Sequence, residues 1–160
     1  MNAVKQRIMN DSDEFTTWDG KAVASEPPHG ASIIVYRKSG QGHEFLILHR
    51  GQQGPDFSGD WAWTPPSGAR YPGESIEECA RRELREETGF SLPMRRTELG
   101  SLEWVIYMAE CPPSAQVDLS EEHDRYEWLP AAEAVARCRP RVAGNSIEAV
   151  AGKLAATRPS

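Results

Sequence analysis

A chain of 160 residues that is 39% hydrophobic and 26% charged has the make-up of one globular domain, long enough to bury a core. Its formal net charge of −6 argues against binding to nucleic-acid duplexes or anionic membranes, since both ask for a basic footprint. Three widely spaced cysteines, Cys79, Cys111 and Cys138, argue against a disulfide framework or a zinc site and fit reduced thiols in the cytoplasm.

The N-terminal run MNAVKQRIMNDSDEF has no apolar stretch of signal-peptide type. No segment approaches the roughly 18 apolar residues of a membrane span. Asp19-Gly20, between short runs ending in Trp18 and Val23, predicts a hairpin turn, because that dipeptide tolerates positive φ. Pro27-Pro28 then interrupts regular structure. Residues 1–29 therefore read as an N-terminal arm or β-hairpin, placed where it could serve as a homodimer ribbon.

Strands are expected over 31–37 (ASIIVYR) and 44–50 (EFLILHR), joined by the turn-like KSGQG. The segment WAWTPPSGARYPGE, rich in proline and glycine, excludes long helices and central strands. A helix follows over 75–88, then strands over 99–111 and 125–130, then helices over 131–138 and 145–157. This order lacks the regular beat of a doubly wound sheet and predicts an α/β fold with a mixed sheet covered by helices.

The helix over 75–88 is bounded at both ends. Ser75 with Glu78 forms a capping-box pattern, and Gly89 supplies a left-handed stop. At about 100° per residue, Ile76, Ala80 and Leu84 make an apolar stripe, and Glu83 and Glu87 fall within roughly 20° of Ile76. Glu86 lies about 80° away, at the border. Carboxylates there lose hydration and face the negative end of the helix dipole. Arg82 can reach Glu86 at i+4, but one arginine does not balance three carboxylates. A hard divalent cation does, and clustered oxygens suit Mg²⁺ or Mn²⁺. A highly charged, solvent-exposed helix is the alternative.

Gly68, Glu74, Arg82, Glu83, Leu84, Glu86, Glu87 and Gly89 stand at the spacing of a Nudix box: Gly, five residues, Glu, seven residues, then Arg-Glu-aliphatic-x-Glu-Glu-x-Gly. Residues 68–90 resemble that box, with Phe90 where an aliphatic residue is usual. The resemblance implies a Nudix-like α/β/α sandwich with a mixed β-sheet, the Nudix hydrolase domain spanning 30–160. It also implies a Mg²⁺- or Mn²⁺-dependent phosphoanhydride hydrolase acting on a small nucleotide derivative. By the same resemblance Glu83, Glu86, Glu87 and the Ser67 carbonyl hold metal, with Glu83 a ligand or the base. Arg82 orients the carboxylates, and Glu74 is mainly structural.

WTPPSG before the box and LSEEHDRYEWL after it resemble the asymmetric diadenosine tetraphosphate hydrolases of animal type. That subgroup has lysine where Ser67 stands. The likeness makes dinucleoside polyphosphates the leading substrates. It assigns Glu122 as a metal ligand or base and brings in Tyr107 and His123 as substrate contacts. Trp61 and Trp63 flank the loop before the box and could stack on a base, Trp63 being the chosen contact. Rival readings are a Nudix-fold module that binds nucleotide without turnover, a hydrolase of ADP-ribose, nucleotide sugars or (d)NTPs, and an isoprenoid diphosphate isomerase. No cysteine is placed convincingly for the isomerase.

Overall fold

The computed structural model describes residues 8–9, 15–17, 20–40 and 42–156. Two short strands, β1 (Ile8–Met9) and β2 (Phe15–Thr16), pair antiparallel near the N-terminus. The main sheet contains β3 (Gly30–Ser39), β4 (Gly42–Arg50), β5 (Trp63–Thr64), β6 (Ser67–Ala69), β7 (Arg95–Gly100), β8 (Trp104–Glu110) and β9 (His123–Pro130). Its spine runs β5-β4-β3-β8-β7, with β6 on β3 and β9 on β4. Among the described residues only the β3–β8 pairing is parallel, so the sheet is mixed, as expected.

Alternation along the central strands feeds two cores. Ile34 and Tyr36 of β3, Phe45 and Ile47 of β4, and Ile106 and Met108 of β8 pack toward α2 (Ala131–Arg137) and α3 (Arg141–Ala156). Ile33 and Val35, Leu46 and Leu48, and Val105 and Tyr107 pack on the opposite face, against Ala80 and Leu84 of α1 (Ile76–Thr88). Burial on both faces explains the unbroken apolar runs in β3 and β4. The result is the α/β/α sandwich. Among the described residues no helix is long and apolar enough to cross a membrane.

Some details differ from the sequence reading. The single strand expected over 99–111 is two, β7 and β8, because Gly100 takes φ 87° and the Ser101 hydroxyl accepts from the Glu103 and Trp104 amides. The last helix begins at Arg141 rather than 145; Gly144 lies inside it, where a Cβ would crowd Val135 of α2. At the predicted hairpin Gly20 has φ 84° and the Thr17 and Lys21 backbones are bonded, while Trp18 and Asp19 lie outside the described residues. The arm's base is anchored on the core: the Ala24 amide donates to the Arg70 carbonyl, and the Arg70 guanidinium donates to the carbonyls of Glu26 and Pro28.

The apolar stripe of α1 is what seats the helix on the sheet. Leu84→Ala is expected to lower the unfolding free energy by about 2–5 kcal/mol, measured by urea denaturation.

Candidate active site

Helix α1 is fixed at both ends before its carboxylates are placed. The Ser75 hydroxyl accepts from the Glu78 amide and the Glu78 carboxylate accepts from the Ser75 amide. Gly89 closes the helix at φ 78°, its amide donating to the Arg85 carbonyl. In this frame Glu83 and Glu87 are each 2% exposed, whereas the Glu86 side chain is half exposed.

Arg82 gathers the carboxylates around it. Its Nε donates to Glu74 Oε2 at 2.7 Å and its Nη2 to Glu74 Oε1 and the Ala69 carbonyl, each at 2.9 Å. Nη1 donates to Glu83 Oε2 at 2.9 Å and to Glu86 Oε1 at 3.3 Å. The guanidinium lies 3.8 Å from the Tyr71 ring centre. Burial alone would lower the Arg82 pKa, but the Glu74 bonds and the Glu83 charge raise it above the ordinary arginine value. Burial pushes Glu74 upward, yet its bonds to Arg82 and the Tyr71 amide hold it below the ordinary carboxylate value. Gly68 sits against this cluster: a Cβ there would overlap the Glu83 carboxylate.

Glu87 belongs to a second group. Its Oε1 accepts from the Ser67 amide at 3.1 Å. One ligand atom from each of Glu87, Glu122 and His123 lies within 4.8 Å of the others, and all three residues are buried. Two carboxylates and an imidazole at that spacing fit a divalent cation: the oxygens suit Mg²⁺ or Mn²⁺, and the nitrogen suits Mn²⁺ better. Glu83 and Glu86 are instead joined through Arg82.

The β9 residues are delivered by the pairing of β9 with β4, whose register shifts between His49 and Arg50. Fully buried His49 braces the junction: its Nε2–H donates to the Phe57 carbonyl and its Nδ1 meets Asp124 Oδ1, both at 2.7 Å. Arg50, 3% exposed, is the register partner of His123. The signal for Arg50 in the sequence is a charge continuing the Leu46, Leu48 alternation.

Ser67 also borders a cavity of about 420 Å³, whose walls include Trp61, Trp104, Ser32, Asn145 and Ser146. Trp61 is held at φ 68°, a costly conformation for a bulky residue. Trp104 Nε1 donates to the Ser32 hydroxyl at 2.9 Å. Trp63 lies in the core under α2 and α3, its ring centre 5.1 Å from that of His49 and flanked by the Arg125 and Arg137 guanidiniums. Tyr107 is buried in the α1-side core; burial raises its pKa, and Arg96, Glu77 and Arg81 are its charged neighbours. The cavity is thus walled by Trp61 rather than Trp63. The wall contributed by Trp104, Asn145 and Ser146 has no local sequence signal, because it forms only when β8 meets α3.

A family model described as NUDIX domain matches residues 26–149. An octanoyltransferase of Myxococcus xanthus is 30% identical over 150 residues, covering 86% of this chain and 40% of that protein. The asymmetrical bis(5'-nucleosyl)-tetraphosphatase of Mus musculus is 36% identical over 104 residues, covering 57% of this chain and 67% of that protein. The chain thus spans two fifths of the first relative and about two thirds of the second. A crystal structure of a C. elegans Ap4A hydrolase binary complex superposes with TM-score 0.63 at 25% identity, covering 79% of this chain and 97% of that one.

The depressed Glu74 pKa carries a pH signature. A carboxylate held below its unfolded value adds stability that is full above that value and lost as pH falls through the folded one. Glu74→Gln should therefore cost about 1–3 kcal/mol at pH 7, and thermal melts of variant and wild type should converge in acid below the ordinary value of 4.5.

Proposed function

The chain belongs to the NUDIX domain family, and on that footing we propose that it is a divalent-cation-dependent hydrolase cleaving a phosphoanhydride bond of a nucleoside diphosphate derivative, with dinucleoside polyphosphates the leading substrates. One observation carries this reading: the buried Glu87, Glu122 and His123 converge beside Ser67, which also borders the aromatic-walled cavity. A cation site and a nucleoside-sized recess thus share one backbone joint. The names of the tetraphosphatase and Ap4A hydrolase relatives favour the same substrate class.

Glu87, Glu122 and His123 would hold the cation, with the Ser67 carbonyl and the carboxylates of Glu83 and Glu86, which the Nudix-box resemblance implies as ligands, as further donors. A divalent cation so held neutralises phosphate oxygens and lowers the pKa of bound water. The nucleobase stacks in the cavity on Trp61, and the phosphate chain runs past Ser67 toward Glu87. Water attacks phosphorus; a new P–O bond forms as the bridging anhydride bond breaks, and two phosphorylated products leave. Glu122 accepts the proton of that water. We assign it this role because Glu83 and Glu86 already share the Arg82 guanidinium. Arg82 stays outside the reaction as the group that orients Glu83 and Glu86.

Diadenosine tetraphosphate, ADP-ribose, nucleotide sugars and nucleoside triphosphates, each assayed with Mg²⁺ and Mn²⁺ and with products identified by mass, test the reading; no turnover of any of them sinks it. Glu122→Gln is expected to lower kcat by about 10²–10⁴-fold with the fold retained. Trp61→Ala should raise KM about 5- to 150-fold, as loss of a base-stacking platform does. Trp63→Ala should lower the Tm and leave KM unchanged.

A further inference from the structure

Arg50 ends a strand whose preceding residues in the same alternation, Leu46 and Leu48, pack in the α1-side core. It is 3% exposed, yet its Nε and Nη1 have no hydrogen-bond partner among the described residues. A buried guanidinium with idle donors is strongly unfavourable unless something else satisfies them. Burial lowers the Arg50 pKa, while the nearby charges of Glu122 and Glu87 act to raise it. It therefore sits at the carboxylate cluster without being bonded into it, opposite His123 in the strand register.

With a cation held by Glu87, Glu122 and His123, Arg50 becomes a second positive charge facing the first. Glu87 and Glu122, whose charges lie near Arg50, would then be shared with the cation, which leaves the guanidinium less compensated. An oxyanion that ligates the cation and accepts hydrogen bonds from the guanidinium offsets both positive charges and satisfies the idle donors. A guanidinium N–H donating to a phosphate oxygen makes a short, charge-assisted hydrogen bond, and burial spares such bonds competition from water. We propose that Arg50 grips the substrate's phosphate chain, its Nε–H and Nη1–H, which point to different sides of the guanidinium, donating to non-bridging oxygens of successive phosphates beside Glu87 and Glu122. This rests on the cation site proposed above and adds to it a binding residue outside the box segment.

Calorimetric titration of pyrophosphate in the presence of Mn²⁺, on wild type, Arg50→Met and Arg50→Lys, tests it. Mn²⁺ alone is titrated first by the EPR signal of the free ion. Pyrophosphate affinity is expected to fall about 10- to 100-fold in Arg50→Met, as for loss of charge-assisted hydrogen bonds, and less in Arg50→Lys, which keeps the charge without the guanidinium's set of donors. Mn²⁺ alone should bind Arg50→Met no more weakly than wild type. Pyrophosphate affinity within about threefold of wild type in both variants overturns the assignment and leaves the cation site standing. Equal weakening of Mn²⁺ and pyrophosphate in Arg50→Met makes Arg50 mere support and also overturns it. Failure of wild type to bind Mn²⁺ removes the cation site itself, and this assignment with it. If Arg50→Met does not fold, Arg50→Lys carries the comparison, and undiminished pyrophosphate binding there overturns the proposal.

Discussion

The Arg82 guanidinium is the contact on which the carboxylate face of α1 depends. A guanidinium has five N–H groups, and Arg82 makes five hydrogen bonds: two to Glu74, one each to Glu83 and Glu86, and one to the Ala69 carbonyl. The partners lie in β6, in the loop before α1 and in α1 itself, so one side chain ties the helix to the strand and loop before it. Without that tie, the negative end of the α1 dipole and mutual repulsion would push Glu83 and Glu86 apart. Gly68 completes the arrangement by leaving its side-chain volume to the Glu83 carboxylate.

The second half of the site is brought in by the sheet. Glu122 and His123 lie more than thirty residues beyond Glu87 and reach it because β9 pairs with β4, beside the strand that carries the β6 pairing. The register shift at His49/Arg50 leaves Arg50 opposite His123. His49, with an oxygen 2.7 Å from each ring nitrogen, holds the loop at Phe57 and the strand at Asp124 in one place. It faces the core under α2 and α3, where it meets Trp63. One core thus sets the geometry of a site that opens on the other.

What the sequence made legible was what is local. The two caps of α1 and the inward placement of Glu83 and Glu87 follow from helical periodicity and capping chemistry, which depend only on near neighbours. The mixed sheet followed from element order. The meeting of Glu87 with Glu122 and His123 does not: it depends on β4–β9 register, and only family resemblance drew attention to Glu122 and His123. Trp61 and Trp63 could not be ranked by alternation, because Trp61 at φ 68° lies outside any strand. Arg50 was hidden by its company: in EFLILHR it reads as the polar end of a strand, and only its burial shows that the end points inward.

Arg82 and Arg50 are both buried arginines beside acidic clusters, and their difference separates scaffold from binding group. Arg82 has every donor satisfied by protein and a ring stacked on it, so it has nothing left to offer a ligand. Arg50 has two donor nitrogens that the described residues do not satisfy. Ser67 borders the cavity and donates its amide to Glu87, and β6 holds it by pairing with Ser32 of β3. On the proposed reading, a nucleotide whose base enters the cavity has its phosphates directed to the side where Glu87, Glu122 and Arg50 meet. The spacing between recess and charge is built into the sheet, which makes a phosphate chain extending from a nucleoside a better fit than a free phosphate.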